Sequence, residues 1–331
     1  MKLIKLNSFT PHVNLATEEY FLKYAVNYLN DDILIIWKNK NTVVVGCNQN
    51  TINEINLLYV NLHNISVVRR ITGGGTVFHD DGNINFSFIK RNARKKFNFH
   101  DCLSIIIEFL NTHNINAVFS GKNDLVVDQK KISGSAVTFF ENDYLIHGTL
   151  LFDIDVEKLA NCLNVDQKKI TSKGITSIKS RIANIKDFLC EKMDVDTFEK
   201  QFLKWLEKKY DTQFEYLDLS QNLKVSELVA IKYLNYEYTF GKNYFCNFKN
   251  SIKLPNSLLS VNINIDDGNI KDIYFFSDAI FESDLFFIKN KLLHQKYDID
   301  TIKMIFNNLN LNDYYLELTI DKLIDLLFNN M

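Results

Sequence analysis

RRITGGGTVFHDDGNINFSFI, residues 69–89, sets three consecutive glycines between a pair of arginines and a His-Asp-Asp cluster, and then alternates polar and apolar residues. The chain holds only 11 glycines in 331 residues, so three together mark a place where side chains are excluded. The alternation puts Ile84, Phe86 and Phe88 on one face, which predicts a strand.

A glycine loop of this kind has two readings. One is a tight turn with surface arginines, the commoner case for GGG alone. The other is a nest whose successive N–H groups meet a phosphate or carboxylate, with Arg69 and Arg70 adding charge-assisted hydrogen bonds to the same anion. No GK[ST] follows and GxGxxG is not matched, so the loop is neither a Walker A sequence nor a dinucleotide fingerprint. His79, Asp80 and Asp81 lack the spacing of a preformed metal site, and His79 reads as an orienting group. Magnesium arriving with a nucleotide needs only one or two carboxylates, which keeps Asp80, Asp81 and Asp124 as candidates.

The composition narrows the class. Hydrophobic residues make up 46% and charged residues 24%, as in a globular chain with a sizeable core. A formal net charge of −2 argues against a nucleic-acid binder. The cysteines (Cys47, Cys102, Cys162, Cys190 and Cys246) are odd in number and scattered, with no CxxC, so neither a disulfide framework nor a zinc site is expected. The start, MKLIKLNSFTPHV, lacks the apolar run and cleavage site of a signal peptide, and no segment is apolar for long enough to span a bilayer. The expectation is a cytoplasmic protein with no membrane partner.

Along the chain, residues 14–29 carry helical spacing through Phe21, Ala25 and Tyr28 or Leu29, with Asn14 or Thr17 as caps. ILIIW (33–37) and TVVVG (42–46) flank KNKN and read as a strand pair. Residues 101–113 place Leu103, Ile106, Ile107 and Leu110 on one helical stripe capped by Asp101, and residues 195–210 form an amphipathic helix. Short strands lie between these helices. Beyond residue 245 a hairpin around DDGN and two or three helices suggest a small second domain. Strands grouped without a βαβ rhythm predict an α+β fold.

GKNDLVVDQKKISGSAV, residues 121–137, is the second informative stretch. Small residues after Lys130 and Lys131 let a backbone approach a ligand that the ammonium reaches, where it can neutralise charge developing on a phosphate. The alternative is a pair of ordinary hairpin lysines.

RRITGGGTVFHD, GKNDLVV, KKISGSAV and HGTLLF, in this order, resemble the lipoate–protein ligase A family. The likeness continues in NLATEEYF, VVVGCNQN and residues 159–185, and more weakly in YEYTFGKNYF (236–245), which is similar to the two-domain bacterial type. The resemblance implies a mixed-sheet α+β catalytic domain of the biotin/lipoate ligase, class II synthetase-like type over residues 1–245, with a smaller α+β accessory domain over 246–331. It implies ATP-dependent activation of lipoate to lipoyl-AMP, then transfer to a lysine of an acceptor. That acceptor is an apo-lipoyl domain of a 2-oxoacid dehydrogenase E2 or a glycine-cleavage H protein. Lys131 carries over as the catalytic lysine. Arg70, Gly73, Gly74, Gly75, Thr76, Val77, Phe78 and His79 carry over to ATP or substrate contacts, with Asp124, Ser135, His147 and Thr149 beside them. ATP with Mg2+ and lipoic acid are the implied cofactor and substrate. Asp124 is the candidate metal ligand, or a base for the acceptor amine. Val77, Phe78 and VVVG (43–46) are candidates for the apolar slot.

Cys47 departs from the pattern, because many relatives carry Arg there. It raises an alternative, a lipoyl or octanoyl transferase that uses a pre-activated donor without ATP. The basic segments IKRNARKK (89–96) and 168–181 are candidate docking surfaces for an acidic acceptor.

Overall fold

The computed structural model describes residues 1–28, 30–121, 123–163, 180–241, 246–281 and 283–328. Its frame is an eight-stranded mixed sheet in the order β11-β1-β2-β6-β10-β9-β8-β7. These strands are β1 (Lys2–Leu6), β2 (Ile33–Trp37), β6 (Asn83–Lys90), β7 (Val118–Ser120), β8 (Asp124–Val127), β9 (Lys130–Phe140), β10 (Asp143–Leu151) and β11 (Phe214–Leu217). β1 runs parallel to β2 and β11, and β2, β6, β10, β9, β8 and β7 follow one another antiparallel.

The central strands are covered on both faces. ILIIW of β2 is buried throughout, with Leu34 and Ile36 in one core and Ile33, Ile35 and Trp37 in the other. The predicted face of β6 is confirmed, since Ile84, Phe86 and Phe88 pack together. Helices Phe99–Asn111 and Val195–Tyr210 cover that face, where Phe109 lies 4.6 Å from Phe202 and 5.2 Å from Phe198 between ring centroids. Helix Pro11–Lys23 and a second sheet cover the other.

That second sheet corrects the expected pairing of 33–37 with 42–46. β3 (Thr42–Val45) joins β4 (Ser66–Arg69) and β5 (Val77–His79) in the order β4-β3-β5, while both edges of β2 are taken by β1 and β6. Asn41, at φ 45°, redirects the chain between them.

The helix boundaries also shift. The first helix starts at Pro11, where the missing N–H costs nothing, and Asn14 instead donates to the carbonyls of Ser8 and Lys38 and to the Asn39 side chain. It stops at Lys23, with Arg91 donating to the carbonyls of Phe21 and Leu22, so Ala25 and Tyr28 fall beyond it. Residue 29 lies outside the described residues. Helix Phe99–Asn111 is capped by Asn98, which accepts from the His100 N–H, and Asp101 sits in the first turn, where its charge complements the helix dipole.

Toward the end of the chain, β12 (Phe248–Leu254), β13 (Ser257–Asp266) and β14 (Asn269–Ser277) form a three-stranded antiparallel sheet. The expected hairpin is β13–β14, turning through Asp267 and Gly268 at φ 48° and 71°, as a primed two-residue turn requires. Helices Leu285–Leu292, Ile299–Phe306 and Ile320–Phe328 close a separate core around Leu259, Ile263 and Phe306. The expected division at 245/246 adjoins residues 242–245, which lie outside the described residues. The small domain rests on the second sheet's loops: the Ser277 N–H donates to the Asn48 carbonyl (2.9 Å) and the Gly74 N–H to the Ala279 carbonyl (2.8 Å). Among the described residues no helix is long and apolar enough to cross a membrane.

Candidate active site

The glycine loop joins β4 to β5 and forms one wall of a cleft over the large sheet. The two arginines before it do different work. Arg69 is 1% exposed and threads away from the cleft, donating to the carbonyls of Gly46 (2.7 Å), Gln49 (2.8 Å), Tyr238 (2.8 Å) and Thr239 (2.8 Å) and to the Thr51 hydroxyl. It ties the VVVGCNQN segment to helix Tyr236–Phe240. Arg70 turns back under the loop. Its Nε donates to the Thr72 hydroxyl (2.9 Å), and Nη2 donates to the carbonyls of Gly73 (2.6 Å) and Gly75 (2.7 Å). Burial lowers its pKa to about 10, still far above neutrality, so the charge stays under the loop. Gly74, at φ 88°, holds a left-handed conformation that a side chain disfavours, and a Cβ there would meet Arg70 Nη2 at 2.9 Å.

The opposite wall is the β8–β9 hairpin. Asp128 and Gln129 turn it at φ 48° and 63°, and Lys131 is the second residue after the turn. Its ammonium pairs with Asp124 at 2.8 Å and lies across Gly134, where a Cβ would come within 2.6 Å of Nζ. The glycine of KISGS is thus the space the lysine occupies. Asn123 donates to the Ser135 carbonyl (2.6 Å) and the Ser135 hydroxyl donates to the Asn123 carbonyl (2.8 Å), fastening the entry to β8 to β9.

The floor comes from the polar positions of the central strands. Asn85 on β6 and His147 and Thr149 on β10 line the cleft with Trp37 of β2 and Leu15 of the first helix. His147 Nδ1 meets Glu18 at 3.0 Å and its Nε2 meets the Thr72 hydroxyl at 2.7 Å. His79 Nδ1 meets the Asn39 amide at 3.2 Å, and burial pushes the ring's pKa down to about 3, so it is neutral at ordinary pH. His79 Nε2 and Asn85 Nδ2 are buried without a protein partner. Buried polar atoms are rarely left so, and both residues face the cleft.

Of the residues singled out from the sequence, Arg70, Gly74, Gly75, Thr76, Val77 and His79 line the cleft from one side, and Lys131, Ser135, His147 and Thr149 from the other. Three stand elsewhere. Gly73 packs on the Ala279 backbone. Phe78 points to the far side of its sheet, because side chains alternate along β5, and joins Val43 and Val45 there. Asp124 holds Lys131 from the rim. The proposed apolar slot therefore keeps Val44 and Val77 and loses Phe78, Val43 and Val45. Asp80 accepts from the Gly82 (3.0 Å) and Asp155 (2.8 Å) N–H groups and so serves a turn. Among the described residues no three His, Cys, Asp or Glu side chains could together hold a metal ion. Of the basic segment 168–181, residues 168–179 lie outside the described residues. Trp37, Asn85, Glu18 and the inward role of Arg69 were not foreseen. The signal for Asn85 was present: a polar residue in an otherwise apolar central strand must face something polar.

A family model for the lipoyl protein ligase A/B catalytic domain matches residues 10–207, and one for the bacterial lipoate protein ligase C-terminus matches residues 243–327. The chain belongs to the lipoate–protein ligase A family. It is 34% identical to lipoate–protein ligase 1 of Staphylococcus aureus, covering 99% of this chain and 100% of that one. It is 35% identical to a probable lipoate-protein ligase A of Mycoplasma pneumoniae, covering 97% and 95%. The crystal structure of P. falciparum LipL1 in complex with lipoate aligns over 98% of this chain and 99% of that one, with 26% identity and a TM-score of 0.80. The ligase thus combines an α+β catalytic domain with a small C-terminal domain, as its sequence motifs implied.

Proposed function

We propose that this ligase uses ATP to convert lipoate to lipoyl-AMP in the cleft and then passes the lipoyl group to a lysine of an acceptor lipoyl domain. One observation carries the reading: the Lys131 ammonium, the Gly74–Gly75–Thr76 backbone and the apolar wall of Leu15, Trp37, Val44 and Val77 converge on one cleft. An acid with a long apolar chain fits that wall. Its carboxylate then lies between the lysine and the glycine loop, where a nucleotide's α-phosphate can meet it.

In the first step a lipoate carboxylate oxygen attacks the α-phosphorus, the bond to the pyrophosphate oxygen breaks, and pyrophosphate leaves. Lys131 neutralises charge on the transferring phosphate, and Arg70 contributes its field from beneath the loop that it shapes. Asp124 orients Lys131. The Asn85 amide nitrogen and, because the Asn39 amide N–H faces Nδ1, the His79 Nε2–H have no protein partner and are suited to donate hydrogen bonds to the bound adenylate or acid. In the second step the acceptor amine attacks the acyl carbon, an amide forms and AMP leaves. Mg2+ would be held mainly by the nucleotide's phosphates, which suits a cleft whose described carboxylates are already engaged.

Residues 1–245 serve as the catalytic domain and 246–331 as the accessory domain in this reading. The acceptor is a lipoyl domain of a 2-oxoacid dehydrogenase E2 or a glycine-cleavage H protein, with exposed Lys95 and Lys96 placed to attract an acidic partner. A cysteine-thioester route finds no support, because no cysteine is among the residues that line the cleft.

The test is the intact mass of an apo-lipoyl domain incubated with the protein and lipoate, with and without Mg-ATP. Lipoylation only with ATP is expected. Transfer from synthetic lipoyl-AMP, with none from lipoate and ATP, would replace the ligase reading with the transferase.

A further inference from the structure

The first helix offers two adjacent carboxylates to different surroundings. Glu19 is taken up by Lys23 (2.9 Å), Lys232 (2.7 Å) and the Tyr233 hydroxyl (2.7 Å), which fasten the helix to the segment Val229–Tyr233. Glu18 is 0% exposed and has no lysine or arginine among its hydrogen-bond partners. It meets the Ser87 hydroxyl at 2.5 Å and His147 Nδ1 at 3.0 Å. Burying a carboxylate without a full counter-charge is costly unless strong hydrogen bonds offset it, and Glu18 makes such bonds on two sides.

The chain of contacts runs in both directions. On one side, Ser87 Oγ receives the indole N–H of Trp37 at 2.7 Å. On the other, His147 Nε2 meets Thr72 Oγ at 2.7 Å, and Thr72 Oγ receives the Arg70 Nε–H at 2.9 Å. Both outer groups are donors only. The Trp37 indole obliges the Ser87 oxygen to accept from it and sends the serine proton to Glu18. The Thr72 oxygen accepts from the Arg70 guanidinium, and its own proton is closer to His147 Nε2 (2.7 Å) than to the Gly73 carbonyl (3.4 Å). His147 must then carry its proton on Nδ1 and donate it to Glu18. Every proton in the chain points toward one carboxylate: Oε1 accepts from Ser87, and His147 Nδ1 bridges Oε1 and Oε2 at 3.0 and 3.1 Å.

We propose that Glu18 is a positioning residue: as the acceptor on which the buried chain from Trp37 and from Arg70 converges, it fixes the Nδ1–H form of His147. Through Thr72 it thereby orients Arg70, which holds the carbonyls of Gly73 and Gly75. Arg70, His147 and Trp37 all line the cleft, so one buried carboxylate sets the phosphate loop and the apolar wall in register. The kinetic part of this inference rests on the reading of the loop as the ATP phosphate site.

Glu18→Gln tests it. An amide keeps the shape but replaces one of the two oxygens that His147 Nδ1 bridges with an N–H group aimed at a donor. That N–H faces His147 Nδ1 and favours the Nε2–H form, and the Thr72 proton is displaced toward the Gly73 carbonyl, 3.4 Å away. The expected result is a 15N signature of Nδ1–H for His147 in the wild-type protein and of Nε2–H in Glu18→Gln. The KM for ATP in lipoate-dependent pyrophosphate release should rise about tenfold, the scale of one misplaced hydrogen bond, with a smaller change in kcat. Thr72→Val should raise the same KM, and the double variant should be no worse than the worse single one, as coupled residues behave. A simple packing role for Glu18 predicts a lower melting temperature with the KM for ATP and the His147 signature unchanged, and that result would overturn the proposal. So would effects of the two variants that multiply independently. Should Glu18→Gln fail to fold, an unchanged KM for ATP in Thr72→Val decides against the relay. A wild-type protein that turned over without ATP would remove the ligase reading, while the His147 signature would still decide the position of the proton.

Discussion

The two walls of the cleft are built in opposite ways. On the glycine side, Arg69 and Arg70 are 1% and 5% exposed and spend their N–H groups on main-chain carbonyls, so the loop's shape is fixed from within. On the lysine side a single ion pair joins Lys131 to Asp124, and the lysine side chain is 37% exposed. In the proposed reaction the first wall would hold the nucleotide by its backbone, and the second would bring the Lys131 charge to it. Substitutions in the first should therefore cost stability, and those in the second should cost rate.

The largest stability effect is expected from Arg69→Met. Removing the guanidinium leaves the buried Gln49 carbonyl without its donor and takes one of two donors from each of the Gly46 and Thr239 carbonyls, at about 1–3 kcal/mol for an unsatisfied group, so a loss of about 2 kcal/mol or more should appear in urea unfolding. A loss below about 1 kcal/mol would mean that the loop does not depend on this arginine and would erase the contrast.

A smaller effect concerns Glu54, behind the same wall, where it shares a second cavity with Thr76 and Asp278. Burial, reinforced by the Asp278 charge and opposed by Arg69, pushes its carboxyl up to about 7 from 4.5. With the folded value raised, the folded state holds a proton that the unfolded state has lost. Stability from this group therefore falls as pH rises from about 4.5 to 7 and stays at the lower level above. Glu54→Gln should raise the melting temperature at pH 8 by roughly 2 °C, discounted for partial exposure, and leave it unchanged below pH 4.5. An equal gain at both pH values would assign the effect to packing.

The contrast also explains what the sequence disclosed. Both walls announce themselves through residues whose local chemistry is unusual: three glycines after two arginines, and a lysine followed by SGS. The fold was legible where alternation spoke for itself, as in Ile84, Phe86 and Phe88. It misled at ILIIW and TVVVG, because nearness along the chain stood in for pairing, whereas the two strands belong to different sheets. The floor stayed hidden for a different reason. His147 is marked by its motif, but Asn85 and Ser87 carry no such mark and occupy the polar side of an alternating strand, whereas β6 is central and has no solvent side. Arg70 was assigned to the ligand, and its N–H groups turned out to organise the loop first. Glu18 and Glu19 look alike in NLATEEYF, and only the packing of the helix separates the carboxylate that takes Ser87 and His147 from the one that fastens the helix.

The central claim is that Lys131 acts on the transferring phosphate and does not hold the fold together. The measurement that meets it most directly is lipoate-dependent pyrophosphate release by Lys131→Ala, taken with its melting temperature. The account predicts a rate lower by about 10²–10³-fold, the usual cost of removing one electrostatic stabiliser, at an unchanged melting temperature. Release at the wild-type rate, or a rate lost only because the protein has unfolded, would contradict it.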